Sequence, residues 1–194
     1  MRNPIRFKNL NPRLAPLYVL GLAMLWLAHP SWASVSGGLS GLLGGLVLRA
    51  WGAGHLVKTD RLAVSGPYAY VRHPLYLGTL LIGVGFAGML RGWVAAGALV
   101  ALVTWFGLAY FPRKERTESA RLLARYGEAY RTYRDQVPAL RPRLRAWRPE
   151  SGLAEELDLG LRWQFSRYDA NNELGTLLAC TLGVGLVALR VVAE

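Results

Sequence analysis

The sequence predicts an all-α, polytopic transmembrane helix bundle of about five spans, with an amphipathic helical segment at its cytoplasmic face. Three observations predict it. Apolar residues make up 53% of the 194-residue chain and fall into long runs almost free of charge. The charges gather in blocks between those runs, which a soluble domain of similar composition would not do. Five spans with an inside N-terminus place every basic stretch on one side. The net charge of +11 then follows from the positive-inside rule, and no stacking-plus-basic pattern points to nucleic acid. The length suits a single membrane domain, 1–194, with a four-helix core over 14–111, a cytoplasmic helical segment over 112–150, and a C-terminal surface segment plus fifth span over 151–194.

Residues 1–13 are polar and basic through Arg2, Arg6, Lys8 and Arg13. The first apolar run, 14–28, is edged by Trp26 and Trp32. A basic start, a short apolar core and Ser31-Trp32-Ala33-Ser34 also fit a cleaved signal sequence. The second run begins almost at once, so a hairpin of two spanning helices is the simpler reading. That run, 37–57, is rich in Gly and Leu, and small residues let helices approach closely in lipid. Arg49 and His55 interrupt its second half. Arg49 is expected to snorkel to the interface, and His55 is a candidate pocket residue. A polar loop over 58–74 carries Lys58, Asp60, Arg61 and Arg72. The third and fourth runs, 75–90 and 93–111, are joined by Arg91-Gly92 alone, which predicts an antiparallel hairpin. The third is short for a span, so it starts in the headgroup layer or the hairpin tilts. Pro112 is expected to bend or end the fourth helix.

Residues 113–150 are strongly basic. Within them Glu118, Leu122, Tyr126, Tyr130, Tyr133 and Val137 recur at spacings of four, four, four, three and four, one face of an α-helix. Arg121, Arg125, Glu128, Arg131 and Arg134 fall off that stripe. Gly127 is a weak point, costing about 1 kcal/mol relative to Ala, so the stretch divides readily into two helices. Pro138, Pro142 and Pro149 predict an extended arm. Residues 153–173 hold a further candidate surface helix, and 174–193 form the fifth apolar run, with Arg190 placed to snorkel. Cys180, the single cysteine, reads as an apolar packing residue. No Cys/His cluster has metal-ligand spacing, so no metal site is predicted.

Two features converge on the cytoplasmic side. One is the loop over 65–78, fixed by Gly66, Pro67, Pro74 and Gly78 and carrying Arg72 and His73 where the chain enters the bilayer. Ionisable groups there are costly unless they face a cavity or a ligand. The other is Glu118, a carboxylate on an apolar stripe, which needs a partner. That partner is either Arg72 or Arg113 in a salt bridge, or a ligand. Tyr68, Tyr70, Tyr76, Tyr126, Tyr130 and Tyr133 make the face rich in phenols, as interfacial anchors or as pocket walls. The result is a pocket with one acid, aromatic walls and an imidazole, suited to a cationic, partly aromatic ligand. It contains no nucleophile–base pair.

Gly66-Pro67-Tyr68-Ala69-Tyr70-Val71-Arg72-His73-Pro74-Leu75-Tyr76-Leu77-Gly78 fills every position of a Gly-x-Tyr-x-x-x-Arg-His-Pro-x-Tyr-x-Gly loop. Further on stand Glu118-Ser119, Leu122, Tyr126-Gly127-Glu128-Ala129-Tyr130-Arg131-Thr132-Tyr133 and Val137-Pro138. Over roughly 45–142 the chain resembles the integral-membrane methyltransferases of the isoprenylcysteine carboxyl methyltransferase and phospholipid methyltransferase group. The resemblance implies methyl transfer from S-adenosyl-L-methionine to a lipidic or small apolar acceptor bearing a carboxylate, amine or thiol. It implies cofactor contacts at Leu62, Ala63, Tyr68, His73, Pro74, Leu75, Tyr76 and Glu118. Lys114 stands where relatives place a substrate-binding Arg; Lys supplies charge without a bidentate fork, and Arg113 is the candidate substitute. Ser119 replaces the second Glu of the family's acidic pair. The competing readings are a membrane sterol-type reductase using NADPH and a non-enzymatic membrane scaffold. The loop and the Glu-to-Tyr spacing favour the methyl donor.

Overall fold

The computed structural model describes residues 15–56, 62–149 and 162–193. Arg2, Arg6, Lys8, Arg13, Lys58, Asp60, Arg61 and the segment 150–161 lie outside the described residues. Among the described residues every regular element is helical, and the apolar runs fall on helices in the expected order. Helix α1 is Ala15–Leu27, α2 Trp32–His55, α3 Pro74–Leu90 and α4 Gly92–Trp105. A π-turn, Phe106–Tyr110, leads into α5, Phe111–Gln136; α6 is Phe165–Ala170 and α7 Glu173–Val192. Among the described residues three helical stretches are long and apolar enough to cross a membrane: Trp32–His55, Gly92–Gln136 and Glu173–Val192. Within the described residues α1 and α3 are apolar but shorter, with 13 and 17 residues, so among these residues length alone carries three spans.

Helices α2 and α3 make the most extensive pairing, and glycine explains it. A Cβ at Gly45 would lie 2.6 Å from the Gly78 carbonyl oxygen, and one at Gly38 would lie 2.4 Å from that of Gly85. The two glycines of each helix are seven residues apart, so they recur on one face and the antiparallel backbones touch along it. Ser31 caps α2 in a capping box with Ser34, whose hydroxyl also donates to the Met89 carbonyl at the far end of α3. The Arg91-Gly92 link forms the predicted hairpin, with φ of 64° and 62° at its two residues.

Pro112 does not end the fourth helix, one of the two outcomes expected of it. Helix continues from Gly92 to Gln136 because the π-turn comes just before the proline. There the Phe111 N–H reaches back five residues to the Phe106 carbonyl, widening the turn that the proline ring must enter. The break comes at Gly127 instead, with φ 50° and ψ −121°, dividing α5 into two helices as anticipated. The charges begin at Arg113, so α5 lies beyond the apolar stretch of α4.

Candidate functional site

The loop that precedes α3 is held by three structural partners. Its residues 66–69 form a 3-10 turn, with Pro67 in its first positions and Gly66 at φ +59°. A Cβ at Gly66 would lie 2.6 Å from the His55 ring, so the loop closes directly over His55. The proline-rich arm after α5 then zips along it. The Arg72 and His73 N–H groups donate to the Pro138 and Ala139 carbonyls at 2.9 and 3.1 Å, and those of Arg143 and Trp147 donate to Tyr70 and Ala69 at 2.9 and 2.8 Å. Finally, the buried Tyr133 hydroxyl donates to the Tyr68 carbonyl at 2.7 Å. Leu62, Val64, Ala129, Tyr130, Tyr133, Val137 and Trp147 form one apolar cluster beneath this assembly.

Between the loop and α5 lies a cavity of about 480 Å³. All eight residues that the resemblance nominated as cofactor contacts line it: Leu62, Ala63, Tyr68, His73, Pro74, Leu75, Tyr76 and Glu118. Leu122, Tyr126, Tyr130 and Tyr133 of the helical stripe line it too. So do Arg121 and Arg125, which helical periodicity had set off the stripe; both stand exposed at the cavity's edge, the Arg125 guanidinium 5.6 Å from the Tyr126 ring centre. Arg113 and Lys114, the nominated substrate-binding residues, are exposed and do not line the cavity; Lys114 lies one helical turn before Glu118. His55 and Tyr70 are likewise outside it. The His55 Nδ1 pairs with the Trp51 carbonyl at 2.9 Å, and the Tyr70 ring packs on Trp51.

Two carboxylates serve the site in different ways. Glu118 is about a third exposed, at 32%, and accepts a hydrogen bond from the Tyr76 hydroxyl at 3.1 Å. Neither Arg72 nor Arg113 pairs with it. Arg72 instead donates to Glu115 at 2.7 Å and to the Val137 carbonyl at 2.8 Å. Glu115 was not singled out by the sequence, where it sits in a basic block one residue beyond Lys114. It also contacts the His73 Nε2 and accepts from the Ser119 hydroxyl at 3.1 Å. Ser119 in turn pairs with the Tyr130 hydroxyl at 2.7 Å. Ser119 therefore belongs to a polar network behind the cavity wall and not to its lining. Burial pushes the Glu115 carboxyl up, but the bonds and charges of His73 and Arg72 outweigh it and hold it down at about 2. Burial, reinforced by the Glu118 charge, pushes the Tyr68 phenol well above its ordinary value, so it stays a neutral hydroxyl.

A second correction concerns Arg49. It does not snorkel to the interface. Its guanidinium is clamped by Glu173 of α7 at 2.6 and 2.9 Å and donates to the Leu75 carbonyl and the Thr79 hydroxyl. Among the described residues no group of three or more His, Cys, Asp or Glu could hold a metal ion.

The cavity's aromatic walls and volume, with Glu118 as its one lining carboxylate beside Arg72, Arg121 and Arg125, fit a charged ligand with an aromatic part, of the size class of a nucleotide-like cofactor. Residues 48–122 match the isoprenylcysteine carboxyl methyltransferase family, a stretch that holds the whole loop motif and Glu118. A protein-S-isoprenylcysteine O-methyltransferase of Schizosaccharomyces pombe is 39% identical over 44% of this chain and 36% of its own length. The human protein of the same name is 31% identical over 56% of this chain and 40% of its own. The cobalt-zinc-cadmium resistance protein CzcN of Cupriavidus metallidurans is 34% identical over 67% of this chain and 62% of its own. The chain thus spans between about a third and three fifths of the length of these relatives. No solved structure matches it.

Proposed function

We propose that the chain, whose residues 48–122 match the isoprenylcysteine carboxyl methyltransferase family, is an integral-membrane methyltransferase using S-adenosyl-L-methionine. One observation carries the reading. Two motifs some forty residues apart in sequence, the Arg-His-Pro loop and the Glu-to-Tyr stripe, converge on one half-enclosed cavity with a single acid in its lining. The distribution of Lys and Arg supports a cytoplasmic side for that cavity by the positive-inside rule, where a polar donor is available. The acceptor class is a lipidic or small apolar molecule presenting a carboxylate, amine or thiol. Arg113 and Lys114, at the point where α5 leaves the apolar stretch, are the candidates to attract an anionic acceptor.

The bound donor supplies a methyl group on a positively charged sulfur. Every other contribution is the chain's own. Glu118 offers a compensating charge, with its carboxylate aimed by the Tyr76 hydroxyl. Tyr68, held neutral, offers a hydroxyl that stays a donor across the physiological range. His73 has its ring fixed from behind by Glu115 and from the sides by Tyr76 and Phe111, at 5.4 and 5.5 Å between ring centres. The largely apolar and aromatic walls suit a displacement that needs alignment more than acid–base chemistry. A carboxylate acceptor needs no general base, so the missing nucleophile–base pair is consistent with the chemistry.

The test is a titration of purified protein in detergent with S-adenosyl-L-methionine. The parent should bind saturably, and Glu118→Gln and His73→Ala should weaken binding at least about tenfold while remaining folded. Variants that bind as well as the parent would remove the assignment. Mass spectrometry of lipids and small acids incubated with the methyl-deuterated donor then identifies the acceptor.

A further inference from the structure

The C-terminal part of the chain lies outside the family match, yet it is bound to the cavity's structure at two points. Trp163, Gln164 and Asn171 close off the end of α2. The Trp163 indole donates to the Ala50 carbonyl at 2.9 Å, the Gln164 N–H to Gly54 at 3.0 Å, and the Asn171 amide to Ala53 and Leu56 at 2.9 and 3.3 Å. These bonds fall on the last turn and a half of α2 and on its cap residue Leu56, which itself lines the cavity.

The second point is the ion pair between α2 and the first turn of α7. Glu173 is 3% exposed and takes the Arg49 fork on both oxygens. The remaining guanidinium nitrogen reaches the first turn of α3, donating to the Leu75 carbonyl at 3.1 Å and the Thr79 hydroxyl at 2.7 Å. Arg49 gets there by crossing Gly78, where a Cβ would lie 2.5 Å from its Cγ. The glycine of the loop motif therefore has a local reason: it leaves room for this side chain. The pair is also near enough for both of its charges to act on the Tyr68 phenol.

We propose that Arg49 and Glu173 are positioning residues whose ion pair locks the Leu75–Tyr76 wall of the cavity to the C-terminal helix. One guanidinium ties three helices together, and the turn it fixes carries Pro74, Leu75 and Tyr76, the last aiming Glu118. The C-terminal helix is then part of the binding site without touching its contents. Lysine cannot replace Arg49, because a single ammonium lacks the planar fork. The consequence for donor affinity rests on the methyltransferase reading; the lock itself does not.

The experiment compares the parent with Glu173→Gln and with the double variant Arg49→Met, Glu173→Leu, all as full chains in detergent. The double variant replaces a buried ion pair by apolar groups, which folds are known to tolerate, so it stays assessable if the single variant unfolds. Two readouts are taken. Amide hydrogen exchange over residues 77–80 should accelerate about tenfold in the double variant, with no change at the Met89 end of α3. The Kd for S-adenosyl-L-methionine should rise about tenfold or more. Unchanged exchange overturns the lock, and faster exchange with an unchanged Kd overturns its positioning role. Faster exchange in a protein whose parent form shows no saturable donor binding leaves the lock standing and removes the functional reading instead.

Discussion

Glu115 and Glu118 lie three residues apart on one helix, and their surroundings give them opposite jobs. Substituting each by Gln should separate these jobs. Glu115 accepts from Arg72 at 2.7 Å and from Ser119 at 3.1 Å, and contacts His73, with 22% of its side chain exposed. Charge-assisted bonds of this kind contribute about 1.5–3 kcal/mol each. The amide of Gln keeps one acceptor, and Arg72 keeps the Val137 carbonyl at 2.8 Å, so part of the network survives. The net loss is about 2–3 kcal/mol, a fall in thermal midpoint of about 4–12 °C. Glu118 is more exposed, lies 3.8 Å from the His73 Nδ1, and accepts one hydrogen bond, from Tyr76, that an amide oxygen still accepts. Its replacement should cost under about 1 kcal/mol of stability while weakening donor binding about tenfold. Thermal unfolding in detergent and donor titration on both variants read the two quantities. A double-mutant cycle of Glu115→Gln with Arg72→Met should show coupling of about 2 kcal/mol. The sign with pH follows from the depressed carboxyl. Its stabilisation is complete above about 4.5, the unfolded value, and is lost as pH falls toward about 2. The parent should therefore lose its advantage over Glu115→Gln across that window. If Glu115→Gln melts with the parent, or Glu118→Gln melts as low as Glu115→Gln, the division of roles is wrong.

Gly45→Ala should cost about 1–3 kcal/mol, because its Cβ would meet the Gly78 carbonyl oxygen at 2.6 Å; Gly44→Ala, with nothing within 4 Å, is the matched control, and unfolding by denaturant in detergent compares them. Gly127→Ala should also cost about 1–3 kcal/mol, although no atom lies within 4 Å of the new Cβ, since φ +50° with ψ −121° strains any side chain. Circular dichroism melts that place it beside Gly107→Ala, also in open space, would show that the break in α5 is not conformationally demanding. Trp163→Phe removes the donor to the Ala50 carbonyl and should cost about 1 kcal/mol, measured by thermal unfolding.

The convergence of the two motifs was legible because each element carries its own periodic signal. The stripe from Glu118 to Tyr133 reads at helical spacing, and the cavity is lined by it even across the Gly127 break. Buried Val137 and the arm from Pro138 also fell where composition put them. Pro112 misled because a proline signals a break only if the preceding turn is α-helical, and nothing local announces a π-turn.

What the sequence determined by itself was which stretches are helical, which are apolar, and which face of α5 meets the loop, since those depend on residues within a turn or two of one another. What only the tertiary structure decided was the pairing of charges. Arg72 takes Glu115 and not Glu118, and Arg49 turns inward to Glu173, 124 residues away, where hydropathy alone sends it to the interface. A buried charge chooses its partner by geometry in three dimensions, and the cost of leaving it unpaired enforces that choice whatever the distance along the chain.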